Sequence, residues 1–156
     1  MFNKDTMKAT GKVSVVLKDE QGNVKEEFTV PNLVVDTGLD FIASRMKDAT
    51  ATVMSHMEVG TDGTYNSGST AGVDAADTAL SAAVSGSRTA LSSTTVTDNS
   101  VAYVCTFGAG TGTGALVEAG IFNAASGGTM LCRTVFSTIN KGAADSMTIT
   151  WTITIS

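Results

Sequence analysis

The stretch Ser146-Met-Thr-Ile-Thr-Trp-Thr-Ile-Thr-Ile-Ser156 alternates apolar and hydroxyl-bearing residues without exception. Because successive side chains of a strand point to opposite faces, this stretch predicts a β-strand with one apolar face and one hydroxylated face. The apolar side chains are those of Met147, Ile149, Trp151, Ile153 and Ile155. Neither face carries a charge, an acid–base group or a metal ligand, which favours an architectural role over a catalytic one.

Similar alternation occurs near the start of the chain. Residues 12–18 and 24–30 each predict a strand, and the turn-forming run 19–23 between them predicts a β-hairpin. Pro31 is expected to end the second strand, because proline has no N–H to give to the ladder. Further strands are predicted over residues 53–59, 101–107, 116–123 and 129–139.

One helix is predicted, over about residues 38–48. Asp36 and Thr37 are candidate caps in front of Gly38. The apolar residues at helical spacing are Leu39, Ile42, Ala43 and Met46. Together these patterns predict a mainly β fold, an antiparallel β-sandwich or jelly roll with this one short α-helix. The expected organisation is an N-terminal arm, residues 1–10, followed by a single β-sandwich domain, residues 11–156.

The composition favours a protein that assembles with other protein. Only 16% of the 156 residues are charged and 42% are hydrophobic, whereas an ordinary soluble domain has about 25% charged residues. The net charge is −5 and Lys and Arg form no cluster, so a nucleic-acid partner is not expected. No run approaches the ~18 apolar residues of a membrane span, and the first residues do not resemble a secretory signal.

The glycine-rich run Gly108-Ala-Gly-Thr-Gly-Thr-Gly114 follows a predicted strand and loosely matches a dinucleotide-binding loop. That motif requires a helix after the loop and an acidic residue about 20 residues further on. Here Gly120 interrupts the following segment, which has no helical stripe, and no acid stands at the required distance. A flexible hairpin loop is therefore predicted instead.

His56 is the only histidine, and it lies in a predicted strand without a Gly-x-Ser-x-Gly elbow anywhere in the chain. We interpret it as a surface or interface residue, and one histidine with two separated cysteines gives too few ligands for zinc. Cys105 and Cys132 lie in apolar strands, which predicts buried thiols rather than a disulfide framework. No metal or other cofactor is expected.

Glu118 interrupts an otherwise apolar predicted strand. Since a buried charge persists only when it is paired, we expect Glu118 to form a structural ion pair with Arg133 or Arg45. A catalytic role would require a second acid at a defined spacing, and none is evident. The chain is therefore expected not to be an enzyme.

Four segments and the terminal strand follow one another in an order typical of one class of protein. The segments are Asn32-Leu-Val-Val-Asp-Thr-Gly-Leu-Asp-Phe-Ile-Ala-Ser-Arg-Met46, Val59-Gly-Thr-Asp-Gly63, Ala76-Asp-Thr-Ala-Leu80 and Glu118-Ala-Gly-Ile-Phe122. They resemble small structural proteins of tailed-bacteriophage virions, over most of the chain from about residue 30 onward. The resemblance implies a virion protein with a β-sandwich or jelly-roll fold and no catalytic residues.

The resemblance also implies a place on the particle. Tail fibres are usually much longer, so a chain that ends with its sandwich favours a capsid decoration or cement protein. Such a protein is made in the host cytoplasm and binds across major capsid protein subunits, and we expect a homo-oligomer (dimer or trimer) at a capsid symmetry axis. The alternative is a short tail-fibre or tail-adaptor subunit, or a carbohydrate-binding module of the virion. The candidate contact residues are Phe2 and Met7 in the arm, Tyr65 in a long polar loop, and Gly110 and Gly112 in the glycine-rich loop.

Overall fold

The structure is a computed structural model that describes residues 6–47, 51–64 and 72–156. In these ranges the chain forms nine strands and one short helix. The strands are β1 (Ala9–Lys18), β2 (Val24–Val34), β3 (His56–Gly60), β4 (Thr89–Ala90), β5 (Ser93–Thr97), β6 (Ser100–Phe107), β7 (Gly114–Phe122), β8 (Met130–Lys141) and β9 (Ser146–Ile155). The helix, α1, spans Asp36–Ser44. The predicted mainly β fold with one short helix is confirmed.

All strand pairs are antiparallel, in the order β4-β3-β7-β8-β2-β1-β9-β6-β5. This single sheet curls into two layers, and β2 connects them. β2 pairs with β1 along most of its length and with β8 only at Leu33 and Val34. The chain crosses between the layers again after β4. Leu91 N–H donates to the carbonyl of Ser55, next to β3, whereas Ser92 N–H donates to the carbonyl of Val104 in β6, in the other layer. The predicted hairpin of β1 and β2 is therefore built into a sandwich-like body.

The core lies between the two layers and contains the apolar face of β9. Met147, Ile149 and Trp151 are fully buried, and side chains of β3, β7 and β8 in the other layer belong to the same buried cluster. The alternation of the terminal stretch therefore determines the side of β9 that faces the core. Burial of apolar side chains stabilises the fold by about 25 cal/mol for each Å² removed from water.

Two boundaries of the first strands differ from the sequence prediction. β1 begins at Ala9, and Lys8 also exchanges backbone hydrogen bonds with Ser156, so part of the predicted arm is paired with β9. Pro31 does not end β2, which continues to Val34. β2 tolerates this proline because the strand changes its pairing partner next to Pro31. The pairing of β2 with β1 ends at Asn32, and the pairing of β2 with β8 begins at Leu33.

The helix begins two residues earlier than predicted and ends at Ser44. Its N-cap is Val35, which has no side-chain capping bond, and the Thr37 hydroxyl donates to the Met130 carbonyl 3.0 Å away. The start of the helix is instead fixed by its backbone, because Val35 N–H bonds Leu131 at 3.2 Å. Gly38 allows this approach, since a Cβ there would collide with the Leu131 carbonyl.

The glycine-rich run is not a hairpin loop, which corrects the sequence prediction. It joins β6, in the layer of β9, to β7, in the layer of β8, so it crosses between layers. The run is held in place because Gly110 N–H donates to Ala143 O at 2.8 Å and Lys141 Nζ donates to Gly108 O at 2.8 Å.

Candidate functional site

A buried ionic cluster lies at the centre of the β7–β8 layer. Arg133 Nη2 bonds Glu118 Oε2 at 2.7 Å, and Arg133 Nη1 bonds Asp77 Oδ2 at 2.7 Å. The side chains of these three residues are 0%, 0% and 2% exposed, respectively. The predicted ion pair of Glu118 with Arg133 is confirmed, and Asp77 is a second acid that the sequence did not reveal as a partner.

The cluster also fixes the chain on both sides of residues 65–71. Arg133 donates to the carbonyls of Thr64 and Gly72, at 2.6 and 3.1 Å. The Glu118 carboxylate accepts the backbone N–H groups of Ser81 and Ala82, at 3.0 and 2.8 Å. The guanidinium donors and the carboxylate are engaged within the fold and closed to solvent, so the cluster links β7 and β8 to the chain at Thr64, Gly72 and Ser81.

The structure does not bring His56 and Glu118 together. His56 lies opposite Phe122 and Gly60 lies opposite Glu118, so the two side chains are four residues apart along β3, about 13 Å. His56 Nδ1 instead shares a 2.8 Å hydrogen bond with Ser55 Oγ. Its neighbour on the same face, Glu58, pairs with Arg88 at 2.8 Å.

The residues predicted to contact a partner fall into different environments. Met7 is 65% exposed, in a groove that Leu39 also lines. Gly110 is exposed, whereas Gly112 is buried and a Cβ there would lie 2.9 Å from Val59. Gly112 therefore contributes the shape of the loop rather than a contact atom. Phe2 and Tyr65 lie outside the described residues.

The outward face of β9 and its neighbours forms a surface that we call the hydroxyl face. Its hydroxyl-bearing residues on β5, β6 and β9 are Ser93, Thr95, Thr97, Ser100, Thr106, Thr148, Thr150, Thr152 and Thr154, and Ala102 and Val104 of β6 lie among them on the same side. Two hydrogen bonds between hydroxyl groups join neighbouring strands across this face: Ser100 bonds Thr154 at 2.8 Å, and Thr106 bonds Thr148 at 3.0 Å. Strands β5, β6 and β9 contain no charged residue. On the other side of β9 the same surface continues onto β1, where Lys12 lies opposite Thr152. Only the part formed by β5, β6 and β9 can therefore meet another protein without removing a charge from water.

A second surface lies around α1, at the end of the sandwich where β1 begins. An apolar cleft of about 460 Å³ separates the helix from β5, β6 and β9. Phe41 and Ile42 line it from the helix, and Val53 and Val96 line it while remaining 61% and 70% exposed. The sequence placed Leu39, Ala43 and Met46 on the same helical stripe as Ile42. In the structure these three are exposed and only Phe41 and Ile42 pack against the core.

Both cysteines are buried and free, as predicted. Burial raises the pKa of the Cys105 thiol to about 12 and that of Cys132 well above its usual range. Because the thiolate is the reactive form, both thiols are protected chemically as well as sterically.

A thiol-modification experiment checks this protection. At pH 8, we expect the folded chain to react with an aromatic disulfide reagent at least about a hundredfold more slowly than the chain in concentrated urea. Release of the coloured thiolate measures the rate, and two thiols per chain in urea provide the control. Rapid modification of either cysteine in the folded chain would contradict the burial described above.

Among residues 6–47, 51–64 and 72–156, no three His, Cys, Asp or Glu side chains are grouped so that they could hold a metal ion. In the same ranges, no helix has the length and apolar character needed to cross a membrane. Comparisons of the chain with protein-family models, with curated proteins and with solved structures find no match.

Proposed function

We propose that this chain is a non-enzymatic structural protein of a tailed-bacteriophage virion. In this proposal it is a decoration or cement protein that binds across neighbouring major capsid protein subunits and stabilises the head. The proposal starts from the sequence resemblance described above. It gains support from the way in which the resembling segments pack.

The resembling segments meet at one place in the fold. Glu118 and Asp77, from two of the segments, bind Arg133, and Gly60, from a third, packs against the Glu118 carboxylate. The fourth segment contains α1, which packs on β8 beside Arg133. The resemblance therefore concerns the framework of the protein, which is the part that a shared fold requires.

The observation that carries the proposal is the hydroxyl face. It is uncharged across β5, β6 and β9, and β5 borders it with all five of its residues exposed. In the described chain only β6 pairs with β5. An uncharged edge strand offers backbone N–H and C=O groups to a strand of another chain, and the adjoining hydroxyls add adaptable hydrogen bonds. These features suit a docking protein.

Such a protein acts by thermodynamic linkage. A chain that binds only the assembled head stabilises the head by an amount that grows with the ratio of its free concentration to its Kd. Several copies of the contact around a symmetry axis increase the effect through high effective concentration. No chemical step is needed.

The proposal is tested with heads and tails separated from particles of a phage that encodes the chain. We expect purified chain to sediment with heads that lack it and not with tails. Thr150→Lys places a charge in the middle of the hydroxyl face and is expected to lower occupancy on heads about tenfold, since a buried unpaired charge is costly. Ser126→Lys, in the exposed turn between β7 and β8, is the matched control and is expected to bind normally.

Two outcomes would contradict the proposal. Sedimentation with tails alone would favour the tail-adaptor alternative, in which the same sandwich joins tail components. Equal binding of heads by the Thr150→Lys chain and the unchanged chain would remove the hydroxyl face from the contact.

A further inference from the structure

Strand β5 forms one edge of the sheet, and in the described chain no strand pairs with its outer side. All five of its residues are exposed, and none is charged or a proline. Charged side chains and prolines are common means by which proteins prevent an edge strand from pairing with another chain. Because β5 has neither, its edge can accept a further strand.

The hairpin between β5 and β6 determines which backbone groups of β5 face outward. Thr97 and Ser100 lie opposite each other across a two-residue turn, so they are joined by the backbone hydrogen bond that closes the turn. The direction of bonding alternates along an antiparallel strand. Thr95 therefore also bonds to β6, whereas the N–H and C=O groups of Thr94 and Val96 point to the free edge.

A second copy of β5 fits this edge in one register. If a two-fold axis perpendicular to the sheet passes beside Thr95, Thr94 of each copy lies opposite Val96 of the other. Each such pair exchanges two backbone hydrogen bonds, so all four outward N–H groups of the dimer are satisfied. An axis beside Thr94 sets Val96 opposite Ser92, and an axis beside Val96 sets Thr94 opposite Asp98. Both of these positions lie outside the strand, so the axis beside Thr95 makes the best use of the edge.

The outward side chains of β5 favour the same register. Elsewhere in this sheet, hydroxyl groups on directly opposite residues hydrogen-bond each other, as in Ser14–Thr29, Ser100–Thr154 and Thr106–Thr148. Within one copy, Ser93 and Thr95 lie opposite Val104 and Ala102, which have no hydroxyl group. In the two-fold pair, Ser93 lies opposite Thr97 of the other copy, and the two Thr95 side chains lie opposite each other. Every outward hydroxyl of β5 then has a hydroxyl partner, which is a match that the strand makes with itself.

The pairing also covers an apolar side chain and brings no like charges together. Val96 is 70% exposed on the inner side of β5, where it lines the apolar cleft, and pairing places Thr94 of the other copy beside it. Asp98 is the charged residue nearest to β5 along the chain. The two Asp98 residues of the dimer are six residues apart along the paired strands, about 20 Å.

We infer that the edge of β5 is the self-association site of this protein. Two copies pair their β5 strands antiparallel about a two-fold axis beside Thr95, so two nine-stranded sheets join edge to edge. The two hydroxyl faces then lie side by side on one surface. The contact is small, so the association is reversible and weak. The inference concerns the edge of β5 and does not depend on capsid binding by the hydroxyl face.

Disulfide cross-linking of the full chain tests the register. The Thr95 pair is not hydrogen-bonded, so its two Cα atoms are expected to lie about 4.5 Å apart, which a disulfide can span. Thr95→Cys is expected to form a covalent dimer under mild oxidation, measured on a non-reducing gel. The two native cysteines are buried and do not compete.

Thr97→Cys is the matched control, because Thr97 is exposed on the same side of the same strand. In the proposed register its two copies are four residues apart, about 13 Å, so we expect it to cross-link at least about tenfold more slowly than Thr95→Cys. An equimolar mixture of Thr97→Cys and Ser93→Cys is expected to form the mixed dimer, because these two positions lie opposite each other.

Sedimentation equilibrium measures the association without a cross-link, at chain concentrations up to about 1 mM. We expect the unchanged chain to dimerise reversibly. Val96→Pro removes an outward N–H group that β6 does not use, and it is expected to leave the chain monomeric. Val96→Lys is expected to raise the dimer Kd about tenfold. Val24→Lys adds the same charge to an exposed valine at the start of β2, and it is expected to dimerise normally.

A Thr95→Cys chain that cross-links no faster than the Thr97→Cys chain would overturn the inference. So would an unchanged chain that stays monomeric at every concentration, or a dimer that neither Val96 substitution weakens. Thermal unfolding followed by circular dichroism checks that each variant is folded. Failure to bind phage heads would leave these results unchanged, so the two proposals can fail separately.

Discussion

Replacing Arg133 by methionine is expected to lower the free energy of unfolding by about 3–5 kcal/mol. The guanidinium is the positive charge that faces the buried carboxylates of Glu118 and Asp77, and it also bonds the chain on both sides of residues 65–71. Its removal leaves two acids without a counter-charge in a low-dielectric interior. Urea denaturation followed by circular dichroism measures the change.

A triple variant separates the charge effect from the loss of packing. Glu118→Gln and Asp77→Asn, combined with Arg133→Met, remove both uncompensated charges. The new amide oxygens keep an acceptor for the Asp74 N–H group and for one of the two backbone N–H groups, those of Ser81 and Ala82, that Glu118 now binds. We expect this variant to recover more than half of the loss, because buried ion pairs can be replaced by neutral groups at small cost. A single Arg133→Met variant that loses less than about 1 kcal/mol would show that the cluster does not hold the fold together.

Replacing Trp151 by alanine is expected to lower the free energy of unfolding by about 3–5 kcal/mol, because it leaves a large cavity between the two layers. The Trp151 side chain is fully buried in the middle of β9, where Val13 of β1 and Tyr103 of β6 lie opposite it. The same urea experiment measures the change. Since the core cluster includes residues of both layers, the transition is expected to remain a single cooperative step.

Trp151→Phe is the matched control for this cavity. Among the described residues, nothing accepts a hydrogen bond from the buried Trp151 Nε1. Replacement by phenylalanine therefore breaks no hydrogen bond, and its ring fills much of the space that the indole occupied. We expect the loss for Trp151→Phe to be less than half that of the alanine variant. Equal losses for the two variants would contradict the cavity explanation.

The predictions from the sequence were most accurate where a residue pattern was compatible with only one structure. The terminal alternation identified the strand and the side that faces the core, since a shift of one residue would bury the threonines. An acid in an apolar strand required a buried cation, and Arg133 was one of the two named candidates. Asp77 could not be found in the same way, because it lies in a turn far from Arg133 in sequence and only the fold brings them together.

The errors at Pro31 and in the helix have a common physical cause. In both places tertiary contacts override a local rule. Pro31 remains in β2 because the strand exchanges one neighbour for another there. The start of the helix is placed by bonds to β8, from Val35 N–H to Leu131 and from the Thr37 hydroxyl to Met130, rather than by a side-chain cap at Asp36 or Thr37. Periodicity also could not show which side of α1 faces the core, because the helix carries apolar residues on both sides.

The heat stability of phage heads most directly tests the central claim, that this chain is an inert sandwich whose outer contacts reinforce a capsid. Heads that lack the chain are titrated with purified chain, and DNA release is followed as the temperature rises. We expect the release temperature to increase with the free concentration of chain and to level off when the binding sites are full. Heads that bind the chain without any rise in release temperature, or that do not bind it, would contradict the account.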